Sequence, residues 1–143
     1  FVASEIDIVE QRVGKHRASL SYNWKRFYDE GTIVAAGSDS PVEHFDPIDG
    51  IHAAVNRLNW DGAPEGGWIP GQKLSVDEAV QAFTIGSAYA AREEHIKGTL
   101  EVGKYADAVV LSQDIFTVDP LHINEARAVM TFVNGEVAYE AAV

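Results

Sequence analysis

The residue with the clearest chemical promise is Asp39. It stands in the turn Gly37-Ser38-Asp39-Ser40-Pro41, directly after the apolar run Thr32-Ile33-Val34-Ala35-Ala36. An unbroken apolar run rich in β-branched residues fits a strand buried on both faces, as in a parallel sheet. Ligands in α/β proteins collect beyond the carboxyl ends of such strands. A carboxylate there can ligate a divalent metal or act as a general base. The plainer alternative is an aspartate that caps its own turn. His44 follows five residues later on the same loop and is a second candidate, for substrate contact; a lone loop histidine is otherwise simply solvated. Arg17 and Arg57 are candidates for a substrate carboxylate, with surface salt bridges as the blander reading.

The remaining histidines, His16, His52, His95 and His122, form no H-x-H or H-E-x-x-H spacing, so the chain carries no complete metal motif. With no cysteine, disulfides and thiolate zinc sites are excluded. No serine sits in G-x-S-x-G, and Gly37-Ser38-Asp39 lacks the dinucleotide spacing. Trp24, Trp60 and Trp68 are pocket candidates, although aromatic residues more often fill cores.

These side chains need elements to hold them. Ile6, Val9 and Val13 recur at helical spacing over residues 5–14, with Gly14 as the stop. Residues 21–30 read as a helix ended by Gly31. Asp46-Pro47 is a helix start, opening a stripe of Ile48, Ile51, His52, Val55 and Leu58. Residues 60–74 hold four glycines and two prolines and form a loop. Ser75-Val76-Asp77-Glu78 is a capping box for a helix running to about Arg92, with Gly86 as a weak interior point. Beyond Gly98 the pattern turns to β, with strands at 108–111, 126–133 and 136–139; Asn134-Gly135 joins the last two as a hairpin. A soft boundary falls near residues 93–98.

The 143 residues amount to about one domain. Twenty-two acidic against eleven basic residues give a net charge of −11, which argues against nucleic acid and anionic membrane surfaces as partners. No apolar run approaches a membrane span. A cytoplasmic location is the default, and a start at Phe1 suggests a piece of a longer protein.

Two stretches carry a resemblance. Residues 31–42, with Asp46-Pro47 and Arg57, are similar to the last barrel strand and its turn in the amidohydrolase superfamily. The run Gly98-Thr99-Leu100-Glu101-Val102-Gly103-Lys104-Tyr105-Ala106-Asp107-Ala108-Val109-Val110-Leu111 resembles that family's later segment. The likeness covers residues 15–140 and is greatest to amidohydrolase family 3, the YtcJ-like hydrolases. It implies an α/β fold: the C-terminal part of a (β/α)8 TIM barrel over residues 1–95, with its last strand at 32–36. It also implies β strands of a small composite sandwich over 96–143.

The same resemblance makes Asp39 a metal ligand and the group that handles the proton of the attacking water. The cofactor implied is a divalent metal, zinc by the family's habit, and the reaction is hydrolysis of non-peptide C–N bonds in a small-molecule substrate. The chain departs from the family in lacking its H-x-H pair, bridging lysine and later metal histidines. One carboxylate cannot hold a catalytic zinc. The expectation is therefore an enzyme in its parent form and an inactive, metal-free isolated segment. Such a segment would pair with the missing N-terminal part or with a second copy. The alternatives are a non-catalytic, stand-alone α+β module and a small ligand-binding domain built on the 60–74 loop.

Overall fold

The computed structural model describes residues 1–142. Helices dominate the first two thirds, and an antiparallel sheet closes the chain. The first four helices are α1 (Val2–Val13), α2 (Lys15–Ala18), α3 (Trp24–Asp29) and α4 (Pro47–Asn56). A 3₁₀ turn, Pro70–Gln72, lies in the glycine-rich loop. It is followed by α5 (Val76–Gln81), a π-helical turn at Ala82–Gly86 and α6 (Ser87–Ala90). Three strands follow, β1 (Ala108–Leu111), β2 (Ala128–Val133) and β3 (Glu136–Glu140). Between β1 and β2 lies a second 3₁₀ segment, Pro120–Glu125.

Local chemistry explains most of these boundaries. Asp46 accepts a hydrogen bond from the Ile48 amide at 2.9 Å, and Pro47 occupies the first helical position of α4. Ser75 and Glu78 exchange both bonds of the capping box, at 3.1 and 2.8 Å, and open α5. The sheet runs in the order β1-β2-β3, all antiparallel. Asn134 and Gly135 both take positive φ, 52° and 81°, the conformation a two-residue hairpin turn demands.

The core is built on α4. Ile48, Ile51, Ala54 and Val55 pack with Leu74 and Ala79 from the α5 side and with Ile115, Ile123 and Ala126 from the β-rich part. Asn56, buried in the same helix, donates to the Pro120 carbonyl at 2.8 Å, tying the second 3₁₀ segment to α4. A second cluster joins Val2, Ala3, Ile6 and Ala18 to Ala53 and Trp68. Apolar packing is thus continuous across the composition change at residues 93–98.

One element departs from the sequence expectation. Residues 32–36 form no regular strand, and Ile33 is 55% exposed instead of buried on both faces. A parallel strand is buried by its neighbours, and among the described residues no strand runs beside this one. The segment lies instead against the helix that follows the loop. The Ala36 amide donates to the Ala82 carbonyl at 3.0 Å, and the Ser87 hydroxyl donates to the Ala36 carbonyl at 3.0 Å. A Cβ at Gly86 would lie 2.1 Å from the Val34 carbonyl oxygen, so only glycine allows this approach. That contact also accounts for the glycine at the end of the π-helical turn between α5 and α6.

Candidate functional site

Asp39 lies three residues beyond the last bond that anchors the 32–36 segment. Its backbone takes φ 52°, a left-handed conformation that aspartate tolerates better than most residues. The turn is closed by backbone bonds from Val42 to Asp39 at 3.0 Å and from Glu43 to Ser38 at 3.2 Å. The Asp39 carboxylate takes part in none of the side-chain hydrogen bonds or ion pairs of the described residues, and the residue is exposed. The turn is therefore held by its backbone, and the acidic group is left available. A non-glycine residue in a sparsely populated backbone region, with a free reactive group, is the kind of feature that concentrates at functional sites.

Two hollows flank this turn. The larger, of about 430 Å³, is lined by Ser40, Val42, Glu43, His44, Phe45 and Trp60, among others. The smaller shares Glu43, His44 and Trp60 and adds Gly37 and Ser38. Asp39 sits in the chain between Ser38, on one hollow, and Ser40, on the other. His44 thus lines both hollows beside the Asp39 turn. Its Nδ1 lies 2.9 Å from Asp49 Oδ2, and its ring is tilted against Phe45 at 4.8 Å between centroids.

Arg17 is elsewhere. It lies on α2 with its Nε donating to the Val13 carbonyl at 2.8 Å, and it lines neither hollow. Arg57 corrects both readings of the sequence, because it is neither a substrate ligand nor a surface ion pair. It is fully buried. Its Nε donates to the Trp68 carbonyl at 2.7 Å and its Nη1 to the Tyr22 carbonyl at 3.0 Å. The guanidinium lies over the rings of Trp24 and Trp68, at 5.5 and 5.2 Å. Burial lowers its pKa to about 10, which leaves it cationic at neutral pH.

Of the tryptophans, Trp60 lines the hollows, Trp68 is buried, and Trp24 packs between the two apolar clusters. His52 is half-buried on α4, as its place on the stripe predicts, and burial holds its pKa below the usual histidine value. His16, His95 and His122 are exposed. No sequence signal marks Phe45 as lining a hollow or Asp49 as the partner of His44. That pair spans the junction of loop and helix, which no periodicity describes.

Could this chain hold a metal by itself? A carboxylate without hydrogen-bond partners suits one coordination position. Among the described residues, however, no three histidines or acids gather in one place. The donor set fits a single ligand of a site and not a whole one.

The chain matches the amidohydrolase family over residues 1–139. It is 36% identical, over 98% of its length, to a Bacillus subtilis protein named as the amidohydrolase YtcJ, and covers 26% of that protein. It is 31% identical, over 78% of its length, to the N-substituted formamide deformylase of Arthrobacter pascens, and covers 20% of it. A solved amidohydrolase structure from Thermotoga maritima superimposes with a TM-score of 0.60 at 19% identity, covering 84% of this chain and 26% of the other. This chain belongs to the amidohydrolase family, and its mixed helix-and-strand architecture is similar to part of that solved structure. It spans about a quarter of the length of the curated relatives it matches.

Proposed function

We propose that the chain is the C-terminal part of a metal-dependent hydrolase of non-peptide C–N bonds, and that Asp39 is its contribution to the chemistry. The observation that carries this reading is the unpartnered Asp39 carboxylate on a turn between two hollows, in a chain of this family. In this reading residues 1–95 belong to a (β/α)8 barrel, with 32–36 as its last strand, and 96–143 to a composite β-sandwich. The free N–H groups of Ile33, Val34 and Ala35, which make no backbone bond among the described residues, support a neighbouring strand from outside the chain. The missing N-terminal part is the partner assigned to that edge.

The remaining metal ligands would belong to that part, and a divalent ion bound there, zinc in this proposal, would lower the pKa of its bound water towards about 7. Asp39 takes the proton of the attacking water on its carboxylate and delivers it to the leaving nitrogen. His44, held by Asp49, faces the substrate. Arg17 lines neither of the hollows that flank the Asp39 turn and is given no part in this step.

The test is Asp39→Asn in the full-length parent, assayed on a panel of N-substituted formamides and N-acyl amino acids. The expected outcome is a loss of turnover of about 10²–10⁴-fold, the usual share of a proton-transfer group, with the fold intact because the residue is exposed. Near-parental turnover would refute the assignment. Metal-dependent turnover by the isolated 143-residue chain would refute the division of the site between two parts.

A further inference from the structure

We propose that Ser87 is a positioning residue for Asp39. This deepens the hydrolase reading, on which it rests for the role of Asp39. A serine inside a regular α-helix commonly bonds the carbonyl four residues back. Ser87 instead follows the π-helical turn Ala82–Gly86, and its hydroxyl lies 2.9 Å from the carbonyl five residues back, that of Ala82. The same hydroxyl lies 3.0 Å from the Ala36 carbonyl, 51 residues earlier in the chain. Single π-helical turns within α-helices recur at functional sites.

A hydroxyl has one hydrogen to give. The Ala82 carbonyl already accepts the Ala36 amide at 3.0 Å. The Ala36 carbonyl has no donor but Ser87 among the described residues. One helical turn thus grips Ala36 by both its polar groups, the N–H through Ala82 and the C=O through Ser87. A single bond would act as a pivot, whereas two fix the direction in which the chain leaves the helix. Only Gly37 then separates this grip from the Asp39 turn. Residues 38–43 are closed on themselves by the Glu43 amide on the Ser38 carbonyl and the Val42 amide on the Asp39 carbonyl, at 3.2 and 3.0 Å. A side chain at Gly37 would meet nothing within 4 Å, so no packing at that link corrects a tilt. The leading end of the turn is therefore aimed from Ala36, and Ser87 holds that aim.

The experiment is run on two proteins. In the 143-residue chain, Ser87→Ala should speed amide exchange at Ala36 about fivefold, the worth of one hydrogen bond, and should shift the amide signals of Ser38, Asp39 and Val42. Alanine suits a helix, and unchanged signals along α4 confirm that the variant folds. Changes confined to α5 and α6, with Ala36 and Asp39 unmoved, would show a role internal to the helix and overturn the proposal. In the full-length parent, on the panel substrate it turns over fastest, Ser87→Ala should lower kcat about tenfold, since a 1 Å misplacement can cost about 10²-fold. KM should stay within about twofold, because a proton-transfer group acts mainly in the transition state. The same substitution placed in the Asp39→Asn parent should cost no further turnover, because nothing is left to position. An undiminished tenfold loss there would overturn the proposal. Near-parental turnover of Asp39→Asn sinks the hydrolase reading, while exchange at Ala36 still judges the grip. An unmoved Ala36 with an inactive Asp39→Asn parent sinks the role of Ser87 alone.

Discussion

Arg57 brings a positive charge into the interior with no carboxylate to meet it. Two backbone carbonyls and two indole faces stand in for the lost water. A planar guanidinium can serve both at once, because its donors fan out in one plane while its faces remain free to stack. Arg57→Met keeps the volume but leaves the Trp68 and Tyr22 carbonyls without their charged donor. The expected loss is about 3 kcal/mol, read as a lower urea midpoint at unchanged slope; a loss below about 1 kcal/mol would mean that water replaces the donors. Arg57→Lys should recover little, since an ammonium is a point charge that cannot span both carbonyls and stack as well.

His52 gives a pH signature. Burial lowers its pKa, against weaker opposing effects of the Leu121 backbone and Asp49. The unfolded chain therefore takes up this proton near pH 6.5 and the folded chain only at lower pH. Between those values the unfolded state binds more protons, so stability falls as pH falls. His122 has the opposite sign, because its hydrogen bond to Glu125 raises its pKa and its contribution is lost as pH rises. His52→Gln should flatten the acid-side decline in urea midpoint below about pH 6.5. An unchanged slope would mean that another group causes the decline.

At the scale of elements, the contact between the 32–36 segment and Gly86 sets where Asp39 stands. The segment is fixed at Ala36 by Ala82 and Ser87, and the Val34 carbonyl fills the space a side chain would need at Gly86. Gly86→Ala should cost about 1–3 kcal/mol as an overpacking substitution. It should also speed amide exchange at Ala36, as the segment is pushed from the helix. Gly71→Ala, at a glycine with open space around it, is the matched control and should be nearly neutral. Equal effects of the two would remove the proposed contact.

At the scale of the molecule, α4 is shared property. Ile123, fully buried and drawn from the β-rich part, belongs to the same cluster as Ile48, Ile51 and Val55. Ile123→Ala should cost about 2–5 kcal/mol and should lower the stability of helices and sheet together. Near-ultraviolet absorption of the tryptophans and amide exchange in β2 would then report one transition. Two separated transitions would show the packing across residues 93–98 to be energetically weak.

Much of this protein was written locally. Asp46-Pro47 and the Ser75–Glu78 box start their helices because each motif satisfies orphan amides from within four residues. The Asn134-Gly135 turn forms because its two backbone angles are open to those residue types. Asp39 was legible as a turn residue after an apolar run, and the role proposed for it rests on the family likeness. What the sequence could not show is whatever depends on neighbours distant in the chain. The 32–36 run has the composition of a buried strand, yet strand burial comes from flanking strands, and here a helix meets one side only. Arg57 looks like any surface arginine until Trp24 and Trp68 close over it. The hollow between Phe45 and Trp60 likewise exists only once Trp60 is brought beside the 40–45 turn, because a cavity is a relation between surfaces and has no signature in either segment alone.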